Sequence, residues 1–309
     1  METPVILSLF DGMSCGQLAI SNFISKYRYF ASEINEQAIK VTQSNFPWTF
    51  QMGDVQKLNT SFFKNDTPFI LMGGSPCKDF SFMGRQKGMT TKCGVSIFTL
   101  DHYLRLKNEG FQFEGQSYLF WEFVRVLKET KPKYFLLENT LMNKDQQKII
   151  TDILGVEPIK INSKLVSGQN RNRLYWTNIP NVSVPENRNI LLSDIIKDSV
   201  GGYGRRGFWN EEKQNYTTRL ESTRKDGKSN CVVTAGITNS VTLKDGSRRY
   251  LTIEEMEQLQ TVKVGYTNVI GVTKKSKEEM LGNGWTIEVI KHILSYIPEF
   301  QQINNKKVA

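Results

Sequence analysis

Short apolar runs alternate with amphipathic stretches through the first half of the chain, and that order restricts the fold more than any other feature. Strands are predicted near residues 4–10, 28–33, 69–73 and 133–138, and helices near 15–26, 36–45 and 118–130. Alternation of this kind implies an α/β fold with a mainly parallel, helix-flanked sheet. Ligands of such open sheets bind beyond the carboxyl ends of the strands, which is where Asp11, Glu33, Asp54, Cys77 and Glu138 all fall.

The pattern dissolves between residues 179 and 248 into polar, turn-rich sequence such as Gly201-Gly202-Tyr203-Gly204-Arg205-Arg206, with only short strand-like runs. Helical periodicity returns at Ile253 to Leu259 and at Ile287 to Tyr296. Three regions are therefore expected: a first domain at 1–178, a small appended recognition domain at 179–248, and a C-terminal segment at 249–309 that packs back onto the first domain.

Lys and Arg outnumber Asp and Glu by 40 to 31, and the net charge of +9 favours a polyanionic partner. Cys15, Cys77, Cys93 and Cys231 are scattered, with no Cys-x-x-Cys pair, which argues against a zinc site and a disulfide framework and fits a reducing cytoplasm. No apolar run approaches the roughly 20 residues of a membrane span, and Val5 to Phe10 open directly as a strand without a basic leader. The expectation is a metal-free, cytoplasmic protein with no membrane partner, acting as a monomer.

Phe10-Asp11-Gly12-Met13-Ser14-Cys15-Gly16 lies between a predicted strand and helix, where glycines permit a tight turn and the helix start offers free amides. Glu33 ends the next strand about 20 residues later, the spacing of an acidic ribose ligand in dinucleotide-type folds. Asp54, in Gly53-Asp54-Val55, follows the third strand. The loop lacks Gly-x-Gly-x-x-Gly spacing, which disfavours a nicotinamide cofactor.

Downstream stand Gly74-Ser75-Pro76-Cys77, Glu138-Asn139, Gln169-Asn170-Arg171-Asn172-Arg173 and Gly282-Asn283-Gly284-Trp285. In this order, with the Phe-Asp-Gly loop ahead of them, they resemble the cytosine-5 DNA methyltransferase family. Ser32-Glu33-Ile34 and Tyr266-Thr267-Asn268-Val269 are similar to the de novo branch of that family, in a compact chain of bacterial or phage type such as occurs in restriction-modification.

The resemblance implies a Rossmann-like S-adenosylmethionine-dependent methyltransferase fold with a small, irregular target-recognition domain. It also implies methylation of carbon 5 of a flipped-out cytosine in duplex DNA, with S-adenosylhomocysteine as the second product. Cys77 is then the nucleophile that adds at carbon 6, and Arg171 stabilises its thiolate. Glu138 engages ring nitrogen 3 and the amino group, and Arg173 holds the base carbonyl. Phe10 stacks on adenine, Glu33 holds the ribose and Asp54 accepts from the adenine amino group. Asp11, Gly12, Met13, Cys15, Gly16, Ile34, Val55, Asn283, Gly284 and Trp285 complete the cofactor pocket. Contacts to DNA fall to Ser81, Arg85, Gln86 and Lys87 after the nucleophile and to Arg205, Arg206 and Arg219 in the recognition domain, where Arg224 and Lys225 are further candidates.

Three positions depart from the family pattern. Thr140 replaces a valine after Glu138-Asn139, Lys78-Asp79 replaces Gln-x after the nucleophile, and the loop after Cys77 carries an insertion around Cys93 to Phe113. The insertion reads either as part of a lid or as an ordinary surface excursion containing a helical Tyr103 to Lys107. Arg249 is expected to brace the recognition domain. Two alternatives remain in the residues: methylation of cytosine in transfer RNA, for which Cys231-Val232-Val233-Thr234 is the nearest string to that branch's Cys-Phe-Thr signature, and a catalytically silent DNA-binding homologue.

Overall fold

The structure is a computed structural model that describes residues 3–76, 90–210 and 215–302. Its larger sheet contains β1 (Val5–Leu9), β2 (Arg28–Ser32), β3 (Phe50–Gln51), β4 (Ile70–Gly73), β5 (Tyr134–Thr140), β6 (Ile159–Asn162) and β7 (Asn172–Thr177). They run in the order β3-β2-β1-β4-β5-β7-β6. The first five are parallel, and β7 runs antiparallel between β5 and β6.

Strand β1 is buried along its whole length, as a parallel strand covered on both faces must be. Its side chains alternate between two cores. Ile6 joins Ile70, Met72 and Leu136 on one face. Val5, Leu7 and Leu9 join Leu71 and Leu137 on the other.

The helices are α1 (Cys15–Ile20), α2 (Glu36–Asn45), α3 (Leu100–Asn108), α4 (Phe120–Thr130), α5 (Lys144–Leu154), α6 (Ile253–Leu259), α7 (Lys274–Asn283) and α8 (Ile287–Leu294). Helix α1 stops well short of the expected residue 26. Ser21 Oγ and Asn22 Nδ2 donate to the Leu18 carbonyl at 3.0 and 2.8 Å, capturing an acceptor that the next helical turn would need. Among the described residues no helix is long and apolar enough to cross a membrane.

The region read as turn-rich holds more regular structure than its composition suggests. Strands β8 (Ser199–Asn210), β9 (Asn215–Thr223), β10 (Ser240–Leu243) and β11 (Arg248–Tyr250) form an antiparallel sheet in the order β11-β10-β8-β9. The glycines that mimic turns instead permit close backbone approach: a Cβ on Gly201 would lie 2.3 Å from the Arg224 carbonyl oxygen, and one on Gly202 would lie 2.4 Å from Asn230 N.

After β11, Thr252 and Glu255 form a capping box on α6, and Arg249 pairs with Glu255 at 2.7 Å. Helix α8 buries Val289, Ile290 and Ile293 in the same core as Ala19 and Ile20 of α1, and Phe300 stacks on Phe23 at 5.0 Å. Strand order reverses between β1 and β4, which opens a crevice beyond their carboxyl ends.

Candidate active site

The turn leaving β1 is contorted, with positive φ at Phe10 (56°), Gly12 (58°) and Ser14 (63°). Left-handed backbone is disfavoured at Phe10 and Ser14, so the surroundings must hold it in place. Glu33, just past the end of β2, does much of this. Its Oε2 accepts from Gly12 N at 2.7 Å, while Oε1 accepts from the amides of Ile34 and Asn35 at 2.8 Å each. Asn35 caps α2 by accepting from Gln37 N and Ala38 N.

Asp11 points inward, where its carboxylate accepts from Tyr29 Oη at 2.7 Å and from the Ser14 hydroxyl. Burial pushes its pKa up to about 6, against the opposing effect of the hydrogen bonds from Ser14, Ser8 and Tyr29. Burial likewise pushes the Cys15 thiol up to about 12, so this cysteine is a packing residue rather than a reactive one.

A cleft of about 290 Å³ opens over this turn. One wall is Phe10 to Met13 with Cys15, a second is Glu33, Asn35 and Ala38, and a third is the C-terminal Gly282-Asn283-Gly284-Trp285. Gly74, Ser75 and Pro76, which follow β4, form its floor together with Glu138, Thr140, Arg171 and Arg173. Asn139 holds this floor together by donating from Nδ2 to Ser75 Oγ at 3.2 Å.

Glu138 is nearly buried, and both its oxygens are engaged. Arg173 Nε lies 2.9 Å from Oε1, and Trp285 Nε1 donates to Oε2 at 3.2 Å. Sheet register explains the first contact. Thr140 sits opposite Arg173 and Glu138 opposite Tyr175, so Glu138 and Arg173 are diagonal neighbours on one face of the β5–β7 pair. A glycine explains the second: a Cβ on Gly74 would stand 3.0 Å from Trp285 Nε1 and 3.2 Å from Glu138 Oε2.

Arg171 is 2% exposed and ties three chain segments together. It donates to the carbonyls of Val232 at 2.9 Å, Gly282 at 3.1 Å and Gly284 at 2.7 Å. Gln169, fully buried, ties the Val232 segment to the end of α6 by accepting from Val232 N at 3.1 Å and donating to the Leu259 carbonyl at 2.6 Å. The Gln-Asn-Arg-Asn-Arg run thus braces the site as well as lining it.

Cys231 is drawn into the same cluster, its Sγ 3.2 Å from Arg171 Nη1 and 3.9 Å from Arg173 Nη2. Burial opposes its ionisation, but the charges of Arg171 and Arg173 outweigh burial and hold the thiol below its ordinary value. Nothing in the local sequence marks Cys231 as a neighbour of these arginines. Gln116, Glu279 and Met280 also line the cleft without having been expected there.

Other expected residues lie off the cleft. Gly16 packs behind the turn, where a Cβ would meet Met72 Cε at 2.8 Å and Tyr29 Oη at 2.9 Å. Ile34 is 72% exposed and Val55 is buried in the core. Asp54 caps the short 3-10 turn Val55–Lys57, accepting from Gln56 N at 2.9 Å. Arg224 is engaged by Asp226, while Arg205, Arg206 and Arg219 fall on the β8–β9 hairpin, with Arg205 opposite Glu221. Cys77, Ser81, Arg85, Gln86 and Lys87 lie outside the described residues; Pro76, immediately before Cys77, lines the cleft. Among the described residues no group of three or more His, Cys, Asp or Glu side chains is placed to hold a metal ion.

Residues 5–157 match the family model described as C-5 cytosine-specific DNA methylase. The chain is 28% identical over 186 residues to the orphan methyltransferase M.SPRI of Bacillus phage SPR, covering 55% of this chain and 36% of that protein. It is 28% identical over 233 residues to the type II methyltransferase M.NlaIV of Neisseria lactamica, covering 64% and 49% respectively. These alignments therefore span half or less of each relative's length. A mutant of DNMT2 from Spodoptera frugiperda superimposes with a TM-score of 0.64 over 96% of this chain and 99% of that one, at 17% identity, a likeness of fold.

Proposed function

We propose that this chain, whose residues 5–157 match the family model of C-5 cytosine-specific DNA methylases, transfers a methyl group from S-adenosylmethionine to carbon 5 of cytosine in double-stranded DNA. One observation carries the reading. Glu138 is held by Arg173 and Trp285 in the lining of the same cleft as Pro76, the residue before Cys77, and the Glu33-clamped turn.

The residues fit the cofactor. At Gly12 an added Cβ would meet nothing within 4 Å, so the backbone of the turn faces open cleft. Phe10 would take the adenine and Glu33 the ribose hydroxyls, with Asn283, Gly284 and Trp285 around the methionine end; Asp54, outside the cleft lining, would reach the adenine amino group from the turn that Ser32 tethers beside Glu33. S-adenosylmethionine supplies an electrophilic methyl group on a sulfonium.

Carbon 5 of cytosine is too weak a nucleophile to take that methyl unaided. Addition of the Cys77 thiolate to carbon 6 moves an electron pair toward carbon 5, which then bonds the methyl carbon as the methyl–sulfur bond breaks and its electron pair leaves with S-adenosylhomocysteine. Glu138 would hydrogen-bond ring nitrogen 3 and the amino group, and Arg173 the base carbonyl, where charge develops. Loss of the carbon 5 proton to a base or water expels the thiolate and restores the ring. The two clamps need no rearrangement to act together, because Arg173 and Trp285 already hold the Glu138 carboxylate in one orientation. The target atom is inaccessible in a duplex, so the base must be extruded at a cost of a few kcal/mol. Sequence choice is assigned to residues 179 to 248.

Cys77→Ser should abolish turnover and the covalent complex with 5-fluorocytosine DNA while leaving cofactor binding largely intact. Undiminished turnover in that variant would refute the mechanism.

A further inference from the structure

The insertion around Cys93 to Phe113 has no role in the reaction as described, yet it is not a loose surface excursion. Its first residues form a small hairpin, with Thr90 bridged to Ser96 and Thr91 to Phe113, and the Lys92 amide donating to the Gln112 carbonyl at 2.8 Å. Ile97 and Tyr103 are fully buried, and Leu100 and Leu106 nearly so, in the same core as Val55, Leu58, Trp121 and Leu137. Helix α3 therefore forms part of the layer that covers one face of the sheet.

The polar contacts beneath α3 converge on a single buried carboxylate. Glu122 of α4 has no exposed side-chain surface. Its Oε1 accepts from Tyr103 Oη at 2.6 Å and Lys107 Nζ at 2.5 Å, and its Oε2 from Arg125 Nε at 2.7 Å. Burial opposes ionisation of Glu122, but the hydrogen bonds from Lys107, Tyr103 and Arg125 outweigh it and hold the carboxyl below its ordinary range.

Both cations reach past Glu122 to the same stretch of main chain. Lys107 Nζ donates to the Gln56 carbonyl at 3.1 Å, and Arg125 Nη2 donates to the Val55 carbonyl at 2.8 Å. Those carbonyls belong to the short 3-10 turn that Asp54 caps. The two ends of the turn are held as well, the Gly53 carbonyl accepting from Ser32 Oγ at 2.7 Å and the Leu58 carbonyl from Arg125 Nη1 at 3.4 Å.

We propose that α3 of the insertion is a positioning element for the cofactor site, with Lys107 and Tyr103 fixing the Asp54 turn through Glu122 and the Gln56 carbonyl. The proposal rests on the reading of the cleft as an S-adenosylmethionine site with Asp54 on its adenine side. Lys107 touches neither cofactor nor DNA in this scheme; it acts through the placement of Asp54. A two-point grip on successive carbonyls from Arg125 and Lys107 restricts both the tilt and the slide of the turn. Loss of one grip leaves the core contacts of α3 intact.

The test measures S-adenosylmethionine affinity by calorimetry on the full-length chain, and KM and kcat in methyl transfer, for Lys107→Met, Lys107→Arg and Tyr103→Phe. Melting curves ensure that each variant is compared while fully folded. Lys107→Met should raise both Kd and KM for S-adenosylmethionine about three- to tenfold with kcat at saturating cofactor retained. Lys107→Arg, which keeps a cation able to reach both acceptors, should recover most of the affinity, a rescue that a merely space-filling role for Lys107 would not produce. Unchanged affinity in both Lys107→Met and Tyr103→Phe, under conditions where Asp54→Ala binds more weakly, would overturn the proposal and leave the cofactor reading standing. Failure of the unaltered chain to bind S-adenosylmethionine would overturn that reading, and the proposal with it.

Discussion

Replacing Asp11 by Asn should remove a specific pH dependence from the stability of the fold. The carboxylate sits in the turn after β1, 8% exposed, held by Tyr29 and Ser14, and its pKa is raised from 3.8 to about 6 by burial. A carboxyl raised in the folded state binds its proton more tightly there than in the unfolded chain. Its contribution to stability is therefore fully present below about pH 4 and is lost as pH rises through about 6. A difference of about two pKa units at roughly 1.4 kcal/mol each gives a loss of about 3 kcal/mol between acid and neutral pH. Asn keeps the size and the acceptor for Tyr29 but has no proton to lose. Urea unfolding of both proteins from about pH 4 to about pH 7.5 isolates the effect, because every other titrating group cancels in the difference. The variant should gain stability relative to the unaltered protein as pH rises, levelling off near neutrality. Parallel curves across the range would show that Asp11 is solvated in solution and that the turn is looser than described.

Three further outcomes follow from the geometry. Glu138→Gln removes the charge that pairs with Arg173 and should lower kcat by about two to three orders of magnitude with little change in S-adenosylmethionine affinity; near-normal kcat would exclude Glu138 from the chemistry. Glu33→Ala releases the Gly12 amide as well as the expected ribose contact and should weaken cofactor binding by about tenfold in calorimetry, whereas unchanged affinity would misplace the pocket. Gly282→Ala would put a Cβ 2.3 Å from Thr234 N and 2.4 Å from the Val233 carbonyl carbon, so a destabilisation of at least about 2 kcal/mol is expected; an unshifted melting temperature would contradict that packing.

What the sequence disclosed and what it concealed divide along the range of the interactions involved. The parallel strands were legible because burial on both faces writes itself as near-continuous apolar runs, as in Val5 to Leu9, interrupted only by Ser8. The Phe10–Gly16 turn and Glu33 were legible because glycine placement and a spacing of about 20 residues are local features. Strand β8 was concealed, since glycines that admit close neighbours look the same in sequence as glycines that make turns. Arg171 was expected to face a thiolate, but no local pattern could show that its guanidinium is largely taken up by the carbonyls of Val232, Gly282 and Gly284, residues 61 to 113 positions away. The docking of the insertion was hidden for the same reason. Tyr103 and Lys107 carry an ordinary amphipathic pattern, and only the fold brings Glu122 and Gln56 beneath them.

The most direct test of the proposed reaction is methyl transfer from labelled S-adenosylmethionine to unmethylated duplex DNA and to transfer RNA in parallel, followed by base-resolution mapping of the modified cytosines. Label at carbon 5 of DNA cytosines, in a recurring sequence context and absent in Cys77→Ser, is the predicted result. Label confined to RNA, or no label in either nucleic acid from a folded protein that binds the cofactor, would contradict it.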